Sequence, residues 1–230
     1  MRTILKQIAL LLLFTTGCAH YNLPPDPLAV PPAMQHGVLA ACRQIYPDNP
    51  RQFVHAIDIT APGGTKSALI GITNVFPAPR SIHCVLMSVE GLVLFEAIDH
   101  NELIIKKAIG PFQSTAFANA IMADITLTYF PARQGACRAG VTALASAWCR
   151  CRALETITDV IRQTNGNWQI DLYAPTGRRL RCIRGEYIHP PLSENFHPPD
   201  QLTVSAAGLT GYRLEMRLLS TDTLDKDTIE

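Results

Sequence analysis

The stretch Ile82–Pro131 constrains the fold more than any other part of the chain. It reads as three short strands followed by one helix. Ile82–Ser88, Leu92–Ile98 and Glu102–Ile109 are largely apolar runs, separated by Val89-Glu90-Gly91 and by Asp99-His100-Asn101. Gly110-Pro111-Phe112 breaks the pattern, and Phe117, Ile121 and Ile125 then recur at every fourth residue, the spacing of one helix face. The second and third strands are apolar on both faces: Leu92 and Leu94 oppose Val93 and Phe95, and Leu103 and Ile105 oppose Ile104. A strand with one face in water alternates apolar and polar residues. These two are therefore expected either to be covered on both sides or to line an apolar cavity.

The N-terminus reads as an export signal. Arg2 and Lys6 precede the unbroken apolar run Ile8–Phe14, and Thr15-Thr16-Gly17-Cys18 follows. A basic start, a short apolar run and small residues before a cleavage point define a secretory signal peptide. The run is too short to cross a bilayer, which takes about 20 apolar residues. A cysteine directly after the small residues resembles a bacterial lipobox, which implies lipidation of Cys18, with an ordinary signal peptide and an incidental cysteine as the plainer alternative. Several acyl chains on one residue give stable anchoring. Ala19 stands where an aspartate would resemble an inner-membrane retention signal, so the resemblance implies the outer membrane, on its periplasmic face. Pro24, Pro25, Pro27, Pro31 and Pro32 make the next segment extended and semi-rigid. The expected organisation is a signal peptide over 1–17, an acylated cysteine and Pro-rich tether over 18–33, one folded domain over 34–220 and an acidic tail over 221–230.

Removal of the signal leaves 230 − 17 = 213 residues, enough for one domain with a real core. The formal net charge of +1 gives no electrostatic footprint for nucleic acid. Six cysteines follow Cys18, and an exported chain can oxidise them. Cys84 and Cys182 lie within strand patterns and suit buried small hydrophobes, whereas Cys137, Cys149 and Cys151 suit disulfides. Cys149-x-Cys151 lacks zinc-knuckle spacing and no His-x₃₋₅-His accompanies it, so no metal and no cofactor is expected.

Elsewhere, Met34–Tyr46 has helical spacing, with Val38, Leu39, Cys42 and Ile45 on one face. Phe53–Thr60, Ser67–Val75, Arg152–Arg162, Trp168–Tyr173, a strand through Leu180 and Cys182, Gln201–Ala206 and Tyr212–Leu218 read as strands. Asn165-Gly166 marks a hairpin turn. Ala132–Cys151 shows no period. Val75 and Phe76 adjoin the loop Pro77-Ala78-Pro79; they are candidates for an exposed tip that enters lipid or a partner, or they fold back onto the core. Arg178, Arg179, Arg181 and Arg184 either bind a phosphate headgroup or form a solvated, charged hairpin edge. Eight to ten hairpin-connected strands and two or three helices give a mainly β, α+β fold. The expectation is a curled antiparallel sheet or incomplete barrel with helices on its concave side. Such a container suits one apolar ligand.

Leu92-Val93-Leu94-Phe95, Gly110-Pro111-Phe112, Ala123–Pro131 and Gly211-Tyr212-Arg213-Leu214 resemble a bacterial lipoprotein family of unassigned function, associated with aryl-polyene or fatty-acid-like biosynthesis clusters. That family is in turn similar to the periplasmic carrier and outer-membrane receptor of lipoprotein localisation (the LolA/LolB-like fold). The resemblance covers roughly Ser67 to Ser220. It implies an incomplete barrel lidded by helices, an acyl-chain or lipid-like ligand, a membrane anchor and a periplasmic carrier protein as partner. Combined with the two-sided strands, it makes Leu92, Leu94, Phe95, Ile104, Phe117, Ile121 and Ile125 the candidate ligand contacts.

Two alternatives stand beside lipid binding and transfer. One is a structural or assembly lipoprotein with a filled core that acts through protein partners. The other is a lipid-ester hydrolase with Asp124 as acid or base. The sequence carries no Gly-x-Ser-x-Gly elbow, no His-Glu-x-x-His and no phosphate-binding glycine loop, so no catalytic residue is assigned.

Overall fold

The structure is a computed structural model that describes residues 23–132, 136–190, 196–208 and 211–225. Cys18, the signal segment and the end of the acidic tail lie outside the described residues. Alternating sequence patterns and tight turns build one antiparallel sheet: β1 (Leu28–Ala29), β2 (Arg51–Thr60), β3 (Lys66–Phe76), β4 (Ser81–Met87), β5 (Val93–Asp99), β6 (Leu103–Ala108), β7 (Ala136–Val141), β8 (Ala147–Arg152), β9 (Ile157–Arg162), β10 (Trp168–Tyr173), β11 (Arg179–Glu186), β12 (Gln201–Ala206) and β13 (Arg213–Thr223). Two helices, α1 (Pro32–Arg43) and α2 (Thr115–Tyr129), accompany it, with a 3-10 turn at Gly110–Gln113 leading into α2.

The sheet is two meanders, β2 to β6 and β7 to β13, joined where β13 pairs with β2. It does not close; β1 and β6 are its terminal strands. This topology explains α2. The chain leaves the sheet at one edge, β6, and re-enters near the other, at β7. The connection must cross the sheet, and α2 is that crossing. Ser114 caps its start, accepting a hydrogen bond from Phe117 N at 3.4 Å.

Register places both cores on one sheet face. Cys149, Val160, Ile170, Ile183, Val204 and Leu214 stand opposite one another in successive pairs across β8 to β13. Ile57, Leu69, Leu86 and Phe95 continue that face across β2 to β5. One core cluster joins α1, through Val38 and Cys42, to β8–β12. The other joins α2, through Ala118, Met122 and Tyr129, to β2–β5. Cys42–Cys149 ties α1 to β8, and Cys137–Cys151 ties β7 to β8. Cys84 and Cys182 are buried free thiols.

Several expectations are corrected. The Pro-rich segment is not a free tether along its described part. Leu28–Ala29 pairs with β7, Asp26 meets Arg138, Arg150 and Arg152, and Arg150 Nη1 donates to Pro24 O at 2.8 Å. Pro32 opens α1, as proline does at a first helical position. The stretch without a period, Ala132–Cys151, contains β7 and most of β8. The folded domain runs past Ser220, because Thr221–Thr223 still pair with Phe53, Gln52 and Arg51. Val75 and Phe76 form no exposed tip: they are 0% and 5% exposed, the former opposite Ile82. The loop beyond them folds onto the end of α2, with the Arg80 guanidinium 4.6 Å from the Phe130 ring centre and Nη2 donating to Pro131 O at 2.8 Å. β6 is not covered on both sides as its two-sided apolarity led us to expect. It is an edge strand, and its Ile104 and Ile105 are exposed beside Lys106 and Lys107.

Candidate functional site

The helix α2 is apolar on most of its circumference. Ala118, Met122 and Tyr129 are its buried face and pack into the core, where Tyr129 stacks on Phe53 at 4.8 Å between ring centres. Phe117, Ile121 and Ile125 are only partly covered by protein. They face a cavity of about 530 Å³. Its floor comes from the sheet, through Ile57, Leu69 and Leu86 on one meander and Val204, Leu214 and Met216 on the other. The cavity therefore sits at the seam between the meanders, with α2 as its roof. Its size falls within the range of pockets that hold small ligands, about 300–1,000 Å³.

The seven candidate contacts divide. Phe117, Ile121 and Ile125 line the cavity together. Leu92, Leu94, Phe95 and Ile104 are not part of its lining. Leu92 lies in the β4–β5 turn and is 55% exposed; Phe95 is fully buried against Phe112, ring centres 5.5 Å apart. Leu94 packs at the margin of that core, and Ile104 projects from the edge strand.

The polar residues of the cavity are brought together from segments that the sequence offers no reason to pair. Asp124, on α2, is buried. Arg181 of β11 donates Nε to Asp124 Oδ1 at 2.7 Å, and the Tyr212 hydroxyl donates to Oδ2. The Arg181 guanidinium also lies 5.6 Å from the Tyr212 ring centre. Burial raises the Asp124 carboxyl to about 6, and the opposing pull of Arg181 only limits that rise. The four arginines thus part company. Arg181 points inward, Arg179 reaches Asp171, Arg184 donates to Gln169 and Arg178 is exposed. The sequence marks Arg181 only as one of four clustered arginines, with nothing to separate it from the other three.

Asp124 and Arg181 also line a second, wider cavity of about 760 Å³ on the other side of α2. Its walls include Asp99 and Leu103 from one end of the sheet and Cys151, Thr158 and Leu172 from the other. The Asp124–Arg181 pair is therefore a polar partition between two chambers. His55 of β2 lines the first chamber and is 4% exposed; burial lowers its imidazole to about 4, so it is neutral at physiological pH. Among the described residues no group of three or more His, Cys, Asp or Glu could hold a metal ion, and no helix is long and apolar enough to cross a membrane.

An open antiparallel sheet with a helix spanning one face above an apolar cavity defines the class of architecture. No family model matches the chain, and no curated protein matches it significantly. Among solved structures, the chain is similar to a domain from Vibrio parahaemolyticus described as an outer-membrane lipoprotein-sorting protein, with a TM-score of 0.50, 9% identity, and 86% of this chain and 94% of that chain covered. At that identity the likeness shows the fold alone. A LolA superfamily protein from Nitrosomonas europaea gives a TM-score of 0.48 at 13% identity, with 83% of this chain and 94% of that one covered. A DUF1329 family protein from Desulfovibrio piger gives 0.46 at 8% identity, with 90% and 96% covered.

Proposed function

We propose that the protein is a periplasm-facing outer-membrane lipoprotein, anchored through Cys18, that holds an acyl chain or lipid-like molecule in the cavity beneath α2 and assists its transfer or localisation. The observation that carries this reading is the apolar cavity of about 530 Å³ between α2 and the sheet. Outside the 3-10 turn that precedes it, the backbone of α2 makes few close approaches to the rest of the fold, and the cavity occupies the gap. Burial of apolar ligand surface supplies the affinity, at about 25 cal/mol per Å². Release needs a second state in which that surface is less well covered. The walls of the second chamber, drawn from both ends of the sheet, support a sheet curled around α2 with the helix on its concave side. Transfer of this kind involves no bond making, and Asp124 is engaged as a buried ion-pair partner.

A fluorescent fatty acid should bind the purified protein, with palmitic acid displacing it. Ala120→Phe, which adds a ring to the α2 wall of the cavity, should abolish both while leaving the fold intact by circular dichroism. Failure of the wild-type protein to bind any acyl probe, together with no lipid in native mass spectra of membrane-extracted protein, would sink the proposal. A second reading, an assembly lipoprotein acting through protein partners such as a periplasmic carrier, draws on one feature: Ile104 and Ile105 lie exposed on the sheet's terminal strand. Crosslinks from β6 to a single periplasmic protein would favour it.

A further inference from the structure

His55 is the anomaly of the cavity. The residue is 4% exposed, lines the chamber, and has no hydrogen bond to any described residue; Phe53 lies near it, at 6.4 Å between ring centres. Its ring nitrogens are not sealed off: they border the chamber, where an occupant can reach them. Phenylalanine or leucine in the same place on β2 would offer an occupant no hydrogen-bonding group. Directly across the β2–β3 pair stands Gly71, and the space over its backbone is taken by the Ile57 and Leu86 side chains: a Cβ there would lie 2.7 Å from Ile57 Cδ1 and 3.3 Å from Leu86 Cδ2. The hydroxyl-bearing Thr73, one step further along the same face of β3, also lines the chamber. His55 and Thr73 thus make a polar notch among the apolar Ile57, Leu69 and Leu86 of the floor.

The chemistry of the notch selects its occupant. Neutral imidazole offers one donor and one acceptor nitrogen. A hydroxyl also donates and accepts, so it can satisfy His55 in either tautomer. An anionic group is a poor match, because the nearest fixed cation lining the cavity, Arg181, already holds Asp124, and a charge buried beside a neutral ring is left unpaired. A plain alkyl chain leaves the notch unsatisfied. Building on the acyl-chain reading above, we propose that the cavity is a site for hydroxylated acyl chains, with the substituent hydroxyl received by His55 on the chamber wall.

The test is displacement of a bound conjugated polyene fatty acid from the full-length protein. The competitors are hexadecanoic acid and three isomers with a single hydroxyl, at C3, C9 or C16. At least one isomer should displace the probe at about tenfold lower concentration than hexadecanoic acid, as expected for a gain of roughly 1.4 kcal/mol. That advantage should vanish in His55→Phe, which should still bind hexadecanoic acid. His55→Gln, which keeps a donor and an acceptor, should retain part of it and covers the case in which His55→Phe fails to fold. Equal displacement by all four acids in the wild type, or a preference that survives His55→Phe, overturns the hydroxyl site and leaves acyl binding standing. Absence of any probe binding overturns both.

Discussion

Arg181 on β11 and Asp124 on α2 meet at 2.7 Å, and this contact ties the crossing helix to the half of the sheet that it reaches last. The pair is shielded unequally. Asp124 is 7% exposed in its side chain and Arg181 is 23% exposed. Its carboxylate is further held by the Tyr212 hydroxyl from the loop before β13. Three elements thus converge on one carboxyl group.

The pH dependence of stability should carry the signature of two buried groups with opposite signs. Asp124 has its folded value raised to about 6 from 3.8. The native state then binds the proton more readily than the unfolded chain, and this contribution makes stability fall as pH rises between about 4 and 6. His55 has its folded value lowered to about 4 from 6.5. There the unfolded chain binds the proton more readily, so this contribution makes stability rise with pH across about 4 to 6.5. Urea unfolding between pH 4 and pH 8 should show Asp124→Asn gaining the steeper rise with pH and His55→Phe the steeper fall. Identical pH profiles for wild type and both variants would contradict the burial assigned to these groups.

Removing the arginine strands the carboxylate. Arg181→Met should destabilise the protein at pH 8 by about 3 kcal/mol, the lower end of the cost of breaking a buried pair, because Arg181 is partly solvated. Much of that loss should be recovered at pH 5, where Asp124 is protonated. Thermal unfolding at the two pH values measures it, and an equal loss at both would show that packing rather than charge governs the contact.

Gly140 should tolerate no side chain. A Cβ there would lie 2.3 Å from Leu28 O and 2.7 Å from Pro27 Cβ. Gly140→Val should displace the N-terminal segment from β7 at a cost of about 1–3 kcal/mol. Limited proteolysis should then cut near Leu28 many times faster than in the wild type. Unchanged cleavage would mean that the segment is not docked in solution.

The Cys42–Cys149 link closes a loop with a sequence separation of 107 residues. Cys42→Ser with Cys149→Ser should cost about 2–5 kcal/mol, chiefly at the α1 end of the molecule. Hydrogen exchange should show α1 losing protection before α2 does. Cys137–Cys151, with a separation of only 14, joins adjacent strands and should matter less when removed alone.

Legibility in the sequence followed the physics of each element. Phe117, Ile121 and Ile125 were found as a helix face because their spacing does not depend on distant partners. The clean alternation in Tyr212–Leu218 located β13 for the same reason. β8 was missed because Trp148, Cys149 and Arg150 are all buried, which erases alternation. Arg150 is hidden by a bidentate pair with Asp159 at 2.7 and 2.6 Å and by the Pro24 carbonyl. No local pattern announces a partner 126 positions away. Leu92 and Ile104 were apolar for reasons unrelated to the cavity, since one lies in a turn and the other on an edge. The Asp124–Arg181 meeting depends on how far the crossing helix travels, a property of topology that neither segment encodes alone.

The docked N-terminal segment would also set the working height of a molecule anchored as proposed. If its mooring is the lipid on Cys18, the first point held by the fold among the described residues is the Pro24 carbonyl on Arg150, and 24 − 18 = 6 residue steps separate the two. At about 3.3–3.6 Å per step, the leash is at most roughly 20 Å. A free segment reaching to Ala33 would have allowed more than twice that. The domain would then ride close to the bilayer surface, with little freedom to turn, and any exchange of cargo with that leaflet would be a short-range hand-over rather than a search.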